Sequence, residues 1–153
     1  MRALELKVPP PLVALCVGLM MWLASDAVAS VEVPLLLRVG ICAAFVGTGL
    51  GLDIAALLAF RRAKTTVNPF RPRASSSLVT RGVYTFTRNP MYLGLLLLLL
   101  GLAAFLANPL ALVLPAVFVA YINRFQITPE ERTLSSLFGD AFSEYKAKVR
   151  RWL

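Results

Sequence analysis

The segment RGVYTFTRNPMYLGLLLLLLG, residues Arg81 to Gly101, passes from arginines and aromatic hydroxyls directly into an apolar run. Asn89 and Pro90 suit the cap and first residue of a helix, because asparagine satisfies a free N–H while proline has none to satisfy. The apolar stretch that follows, Met91 to Ala107, therefore reads as a membrane helix with a polar, basic mouth. At about 1.5 Å per residue it is slightly short for a full hydrocarbon core.

Composition agrees with a bilayer setting. Of the 153 residues, 58% are hydrophobic, and the mean hydropathy of +0.73 exceeds what one small soluble core can hide. Three further apolar runs share the chain: about Val8 to Val28, Leu35 to Phe60, and a stretch from Asn108 and Pro109 to about Ile127. The predicted fold is all-α, a polytopic membrane protein of about four transmembrane helices in two hairpins with a C-terminal amphipathic helix on the cytoplasmic face. The expected divisions of this single domain are a first hairpin over 1–60, a basic loop over 61–90, a second hairpin over 91–127 and the terminal helix over 128–153.

Of the 16 lysines and arginines, all but Arg38 lie at the N-terminal tip, in the loop after the second run, or at and beyond the end of the fourth. The positive-inside rule puts these regions, and both termini, on the cytoplasmic side. Arg38 sits near the outer end of its helix, where its stem lets it snorkel. The competing reading of the first run is a cleaved signal peptide, with AVA at Ala27 to Ala29 as the cleavage site. The VPPP entry and the long second helix's need for a partner favour a retained span. Cys16 and Cys42 fall in apolar segments and suggest neither a disulfide nor a zinc site. Histidine is absent, which removes the commonest metal ligand, and no metal is expected.

Within the second run, Gly47 and Gly51 form a GxxxG that invites close approach of another helix. GTGLG does not read as a nucleotide loop, because both flanks are membrane helix. Asp53 lies inside this helix and is costly there unless paired or solvated. It suits a partner for Arg61 or Arg62, or the coupling site of a small four-helix transporter.

The loop from Arg61 to Pro90 carries seven basic residues, and no carboxylate occurs between Asp53 and Glu130. Charge alone needs only membrane topology. The helix start beside Arg88 adds an anion site. Downstream, Thr128 to Glu131 has the form of a capping box with Pro129 at the first position, which explains Glu131 structurally but not Glu130. Leu134, Phe138, Phe142, Tyr145, Val149 and Trp152 then recur at helical spacing beside lysines and arginines, as in a helix lying on a membrane surface. Gly139 and Asp140 are expected to kink it. Closing over the loop, it brings Glu130 and Glu131 towards Arg88.

The order Gly82, Tyr84, then RNPMY at Arg88 to Tyr92, then Glu130 and Glu131, then Phe138, Gly139 and Tyr145 resembles the isoprenylcysteine carboxyl methyltransferase and phospholipid methyltransferase superfamily of integral membrane enzymes. The match runs from Ser76 onward. The resemblance implies S-adenosylmethionine as cofactor in a cytoplasm-facing pocket roofed by the C-terminal helix, with a lipophilic or lipidated acceptor entering from the membrane lipids and no nucleic-acid partner. Carried over by position, cofactor contacts fall on Ser76, Ser77, Leu78, Val79, Tyr84, Asn89, Pro90, Met91, Tyr92 and Glu130. Arg88, Tyr92 and Glu131 are the candidate catalytic residues; an amine or thiol acceptor must lose a proton, for which Glu131, Tyr92 or Tyr84 is available.

This sequence departs from the family's pattern at several points. Asn89 stands in place of a histidine, and Ser76 in place of a second one in the eukaryotic branch. Gln126 replaces the arginine that holds a substrate carboxylate there, leaving Arg124 as the nearest cation, so Gln126 and Arg124 are the candidate substrate-binding residues. The acceptor stays open among carboxylate, amine and thiol. Methyl transfer needs alignment more than acid–base help, so the want of histidine is no obstacle. The two rival readings are the transporter, which turns on Asp53, and a membrane adaptor without chemistry.

Overall fold

The structure, a computed structural model, describes residues 5–63 and 77–153. Every regular element among them is helical: α1 (Pro10–Ala24), α2 (Leu35–Arg62), a 3₁₀ turn at Gly82–Thr85, α3 (Pro90–Leu106), α4 (Pro109–Val113), α5 (Pro115–Ile122), a π turn at Asn123–Ile127, and α6 (Thr128–Lys148). Two stretches are long and apolar enough to cross a membrane, Leu35–Arg62 and the nearly continuous run Pro109–Lys148, while α1 and α3 are shorter apolar helices.

Proline punctuates this order. Pro10, Pro90, Pro109, Pro115 and Pro129 each sit in the first turn of their helices, where the missing N–H costs nothing. Deeper in a continuous run the same absence frees a carbonyl. Pro129 cannot donate to Phe125, and the Phe125 carbonyl accepts instead from the Leu6 N–H at 3.0 Å. The Thr128 hydroxyl donates to the Asn123 carbonyl at 2.7 Å across the π turn. The anticipated capping box is therefore not formed. Thr128 has helical backbone angles and no side chain caps α6.

α3 is the centre of the bundle. α2 packs along it on one side, and α1, α4 and α5 gather on the other. The first hairpin expected from sequence is thus not a packed pair, since α1 and α2 address α3 and not each other. Glycine sets the α2–α3 approach, at positions other than the GxxxG. A Cβ on Gly49 would lie 2.8 Å from the Gly94 carbonyl oxygen, whereas among the described residues nothing lies within 4 Å of one on Gly47 or Gly51. Arg38 reaches across to the end of α3. Its Nε donates to the Phe105 carbonyl at 2.6 Å, and the guanidinium lies 5.4 Å over the Phe105 ring, a cation at the C-terminal end of α3.

At the end of the bundle remote from Arg88, buried Asn108 caps α4 by accepting from the Leu110 N–H at 2.9 Å, and its amide donates to the Val28 carbonyl at 2.7 Å. This ties the α1–α2 link to the α3–α4 turn. At the opposite end the kink expected at Gly139 is present, and the terminal segment departs from expectation only beyond Lys148. α6 bends at Gly139 (φ 50°, ψ −121°) and stops at Lys148. Val149 to Trp152 do not continue the helix. The Arg88 N–H donates to the Arg150 carbonyl at 3.0 Å, and the Trp152 indole donates to Asn123 Oδ1 at 3.1 Å.

Candidate functional site

The end of the bundle that carries Arg88 holds a cavity of about 610 Å³. Its walls come from the start of α1, the last turns of α2, residues 77–79, the 3₁₀ turn, the start of α3 and both halves of α6. The bend at Gly139 allows this, because it lets α6 supply Glu130, Glu131 and Leu134 before the turn and Phe142 and Tyr145 after it.

Arg88 is the hub of the polar wall. One Nη donates to the carbonyls of Lys146 and Val149 at 3.2 and 3.1 Å, and the other reaches Glu131 Oε1 at 2.7 Å. Arg151 takes the second Glu131 oxygen at 2.7 Å. Both Glu131 oxygens are therefore engaged. The Asn89 amide donates to the Arg151 carbonyl at 2.9 Å and does not cap α3. The N–H groups of Met91 and Tyr92, at the start of this helix, have no capping partner among the described residues and could hold an anion.

Glu130 is arranged differently. Its carboxylate meets no guanidinium among the described residues and accepts a short hydrogen bond from the Tyr92 hydroxyl. Tyr84 is held by an edge contact with Phe60 and by the Tyr145 hydroxyl, which donates to its carbonyl at 2.7 Å. Burial pushes the Tyr84 phenol above its ordinary range, with the neighbouring Tyr145, Glu130 and Asp53 adding to the effect. It stays a neutral hydrogen-bonding group.

The cavity collects Ser77, Leu78, Val79, Tyr84, Arg88, Asn89, Pro90, Met91, Tyr92, Glu130 and Glu131. Ser76 lies outside the described residues. Arg124 and Gln126 do not line it. Arg124 turns outward to Glu5 at 3.1 Å, and the buried Gln126 amide donates to the Val8 carbonyl at 2.6 Å. Sequence reasoning missed the apolar wall of Ile54, Leu57, Phe60 and Leu95, whose lipid-like composition carries no local signal. It also misread Asp53. No ion pair joins Asp53 to Arg61 or Arg62, and Asp53 lies on the cavity wall with Oδ1 unpartnered among the described residues.

A family model for phospholipid methyltransferases matches residues 37–141, which take in α2, α3 and most of the cavity wall. The chain belongs to the phospholipid methyltransferase family. An uncharacterised protein of Haemophilus influenzae is 52% identical over 63 residues, all of that protein and 41% of this chain. Protein-S-isoprenylcysteine O-methyltransferase of Schizosaccharomyces pombe is 36% identical over 72 residues, 47% of this chain and 30% of its own length. Protein-S-isoprenylcysteine O-methyltransferase B of Arabidopsis thaliana is 33% identical over 94 residues, 61% of this chain and 48% of its own length. The chain thus spans less than half the length of the curated methyltransferases it matches. No solved structure matches this family member.

A methyl-donating nucleoside amino acid suits the residues present. The volume lies within the range of small-molecule sites. The lining offers what a zwitterionic sulfonium needs: free N–H groups at Met91 and Tyr92 for a carboxylate, Glu130 for an ammonium, and the faces of Tyr84 and Phe142 for the cationic and aromatic parts.

Proposed function

We propose that the chain is an integral membrane methyltransferase that uses S-adenosylmethionine and acts on a lipophilic acceptor. The observation that carries this reading is the convergence of Arg88, Tyr92 and Glu130, from α3 and α6, on one cavity with an apolar side. Four spans, α1, α2, α3 and the run from α4 through the π turn, cross the bilayer, and the cavity end faces the cytoplasm. Contacts of Glu5 with Arg124 and Arg132, and of the tail with Arg88, bring both ends of the described chain to the cavity end of the bundle, and the basic residues gathered there support this orientation.

The bound donor supplies an electrophilic methyl group on a sulfonium. Glu130 holds the ammonium, its direction set by the Tyr92 hydroxyl; the first N–H groups of α3 hold the carboxylate; Tyr84 and residues 77–79 flank the rest. Arg88 acts with Glu131 and Arg151 to fasten the terminal tail over this end of the cavity and exclude water. Because both oxygens of Glu131 are engaged, we assign it positioning and not proton transfer. In-line displacement needs alignment above all, which a rigid cavity supplies.

The test is transfer of labelled methyl from S-adenosylmethionine to a lipid extract by the full chain reconstituted in vesicles. Transfer that falls at least about tenfold in Arg88→Ala and Glu130→Gln supports the reading, in line with the loss of a charged contact that holds the donor or closes the cavity over it. Vesicles that acquire no label, or label acquired equally by both variants, contradict it.

A further inference from the structure

A zwitterionic donor is costly to pass along the apolar wall of Ile54, Leu57 and Leu95, so it needs an opening at the polar end of the cavity. Two described segments cover that end. One is the tail after α6. The other is a strap, Glu5 to Pro9, that leads into α1; its Pro9 lines the cavity together with Pro10 and Pro11. These prolines have fixed φ and no N–H to tether them, which makes a stiff end for the strap to swing on.

The tail is the firmer cover. Its fastening pair, Arg88 and Glu131, has side chains only 12% and 18% exposed, and Thr87, Arg88 and Asn89 donate to the carbonyls of Val149, Arg150 and Arg151. The strap is held more lightly. No residue from Glu5 to Pro9 is buried. Glu5 pairs with Arg124 and Arg132, whose side chains are 47% and 50% exposed, so these pairs are weak and screened by salt. Two further bonds join the Leu6 N–H to the Phe125 carbonyl and the Gln126 amide to the Val8 carbonyl. Leu6 is itself strained, with φ at 56° in the left-handed region. Little burial, exposed ion pairs and stored strain mark the segment that opens first. Its partners all belong to the π turn and the start of α6, the stretch that carries Glu130 and Glu131 into the cavity. Lifting the strap therefore uncovers the cavity beside Glu130.

We propose that the strap Glu5 to Pro9 is the gate through which the water-soluble donor enters and its demethylated product leaves, latched by Glu5 on Arg124 and Arg132; as a donor gate it rests on the methyltransferase reading of the same cavity. Glu5 is a positioning residue, because it acts on the cavity through Pro9 and does not line it. Arg124 and Gln126, which the sequence singles out for substrate binding, hold the gate closed instead. The tail stays in place as the fixed roof while the strap opens and shuts.

The experiment uses the full chain in phosphatidylcholine nanodiscs and two readouts. The first needs no donor. With Cys16→Ser and Cys42→Ser as background and Met91→Cys in the cavity, the rate of modification by a cationic, membrane-impermeant methanethiosulfonate is followed by mass spectrometry. Glu5→Gln is expected to raise that rate about fivefold, as the loss of two exposed ion pairs implies, and Arg132→Gln to raise it in the same direction. Ionic strength of about 1 M, which screens charges beyond about 3 Å, is expected to raise it with Glu5 present and not in Glu5→Gln. The second readout is stopped-flow binding of S-adenosylhomocysteine to chains that keep Met91. Association and dissociation are expected to quicken together in Glu5→Gln, because a gate sets both rates, whereas a damaged wall quickens dissociation alone. A thiol rate unchanged by Glu5→Gln and Arg132→Gln, or dissociation that quickens alone, overturns the gate. Latch-dependent thiol modification without any S-adenosylhomocysteine binding leaves the gate standing and contradicts the methyltransferase reading alone.

Discussion

Arg88, two residues before α3, and Glu131, in the first turn of α6, meet at 2.7 Å with side chains only 12% and 18% exposed. Forty-three residues apart in sequence, they join the mouth of the central helix to the helix that roofs the cavity. Glu131 also holds Arg151, so a single carboxylate secures both the loop and the tail. Glu131→Gln leaves two guanidiniums without their anion. It is expected to destabilise the protein by about 2 kcal/mol, less than a fully buried broken pair because some water reaches the site. Thermal unfolding in detergent measures this, and limited proteolysis of the C-terminal tail detects its release.

The bend in α6 depends on Gly139, whose φ of 50° and ψ of −121° suit glycine alone. Gly139→Ala strains the bend by about 1–2 kcal/mol. Phe142 and Tyr145 lie beyond it, so the expected outcome is weaker binding of S-adenosylhomocysteine together with a lower unfolding temperature. Both are measured on the same sample.

The glycines of α2 separate packing from pattern. Gly49→Ala drives a methyl into the Gly94 carbonyl and is expected to cost about 1–3 kcal/mol. Gly47→Ala and Gly51→Ala enter open space and are expected to be neutral or stabilising by up to about 1 kcal/mol. Unfolding temperatures of the three variants, compared in one detergent, test the assignment of the α2–α3 seam.

Glu5 carries the acid sensitivity of the N-terminal segment. Partial burial raises its pKa, but the guanidiniums of Arg124 and Arg132 outweigh that and hold it below the ordinary glutamate value. A carboxylate lowered in the folded state adds stability above its unfolded pKa, and that contribution fades as pH falls through the folded value. The Leu6 amide, bonded to the Phe125 carbonyl, is therefore expected to lose hydrogen-exchange protection as pH falls below the ordinary glutamate range. Glu5→Gln is expected to show reduced protection at neutral pH and no such acid step.

Much of this organisation is legible locally. The helix starts follow from prolines at first-turn positions, and the helical stretches from the length of the apolar runs. The polar mouth of α3 is written in one contiguous stretch, Arg81 to Tyr92. What escaped the sequence depends on partners far along the chain. Gly49 matters because Gly94 faces it, and Gly47 does not because nothing does. Thr128 and Glu131 have the spacing of a capping box, yet the helix runs through them from the π turn and Arg88 claims the glutamate. Val149 and Trp152 keep the helical period while leaving the helix, because the tail's carbonyls are taken by Arg88 and Asn89. Asp53 was visible as an anomaly, but only Gly94, where a Cβ would collide with its carboxylate, shows that the fold makes room for it.

The most direct test of the central claim is equilibrium dialysis of labelled S-adenosylmethionine against the detergent-purified full chain, with Glu130→Gln and the exposed Glu144→Gln compared. The account predicts saturable binding, weakened at least about tenfold by loss of the charged contact in Glu130→Gln and unchanged in Glu144→Gln. Binding that is equal in all three proteins, or absent from the wild type, contradicts it.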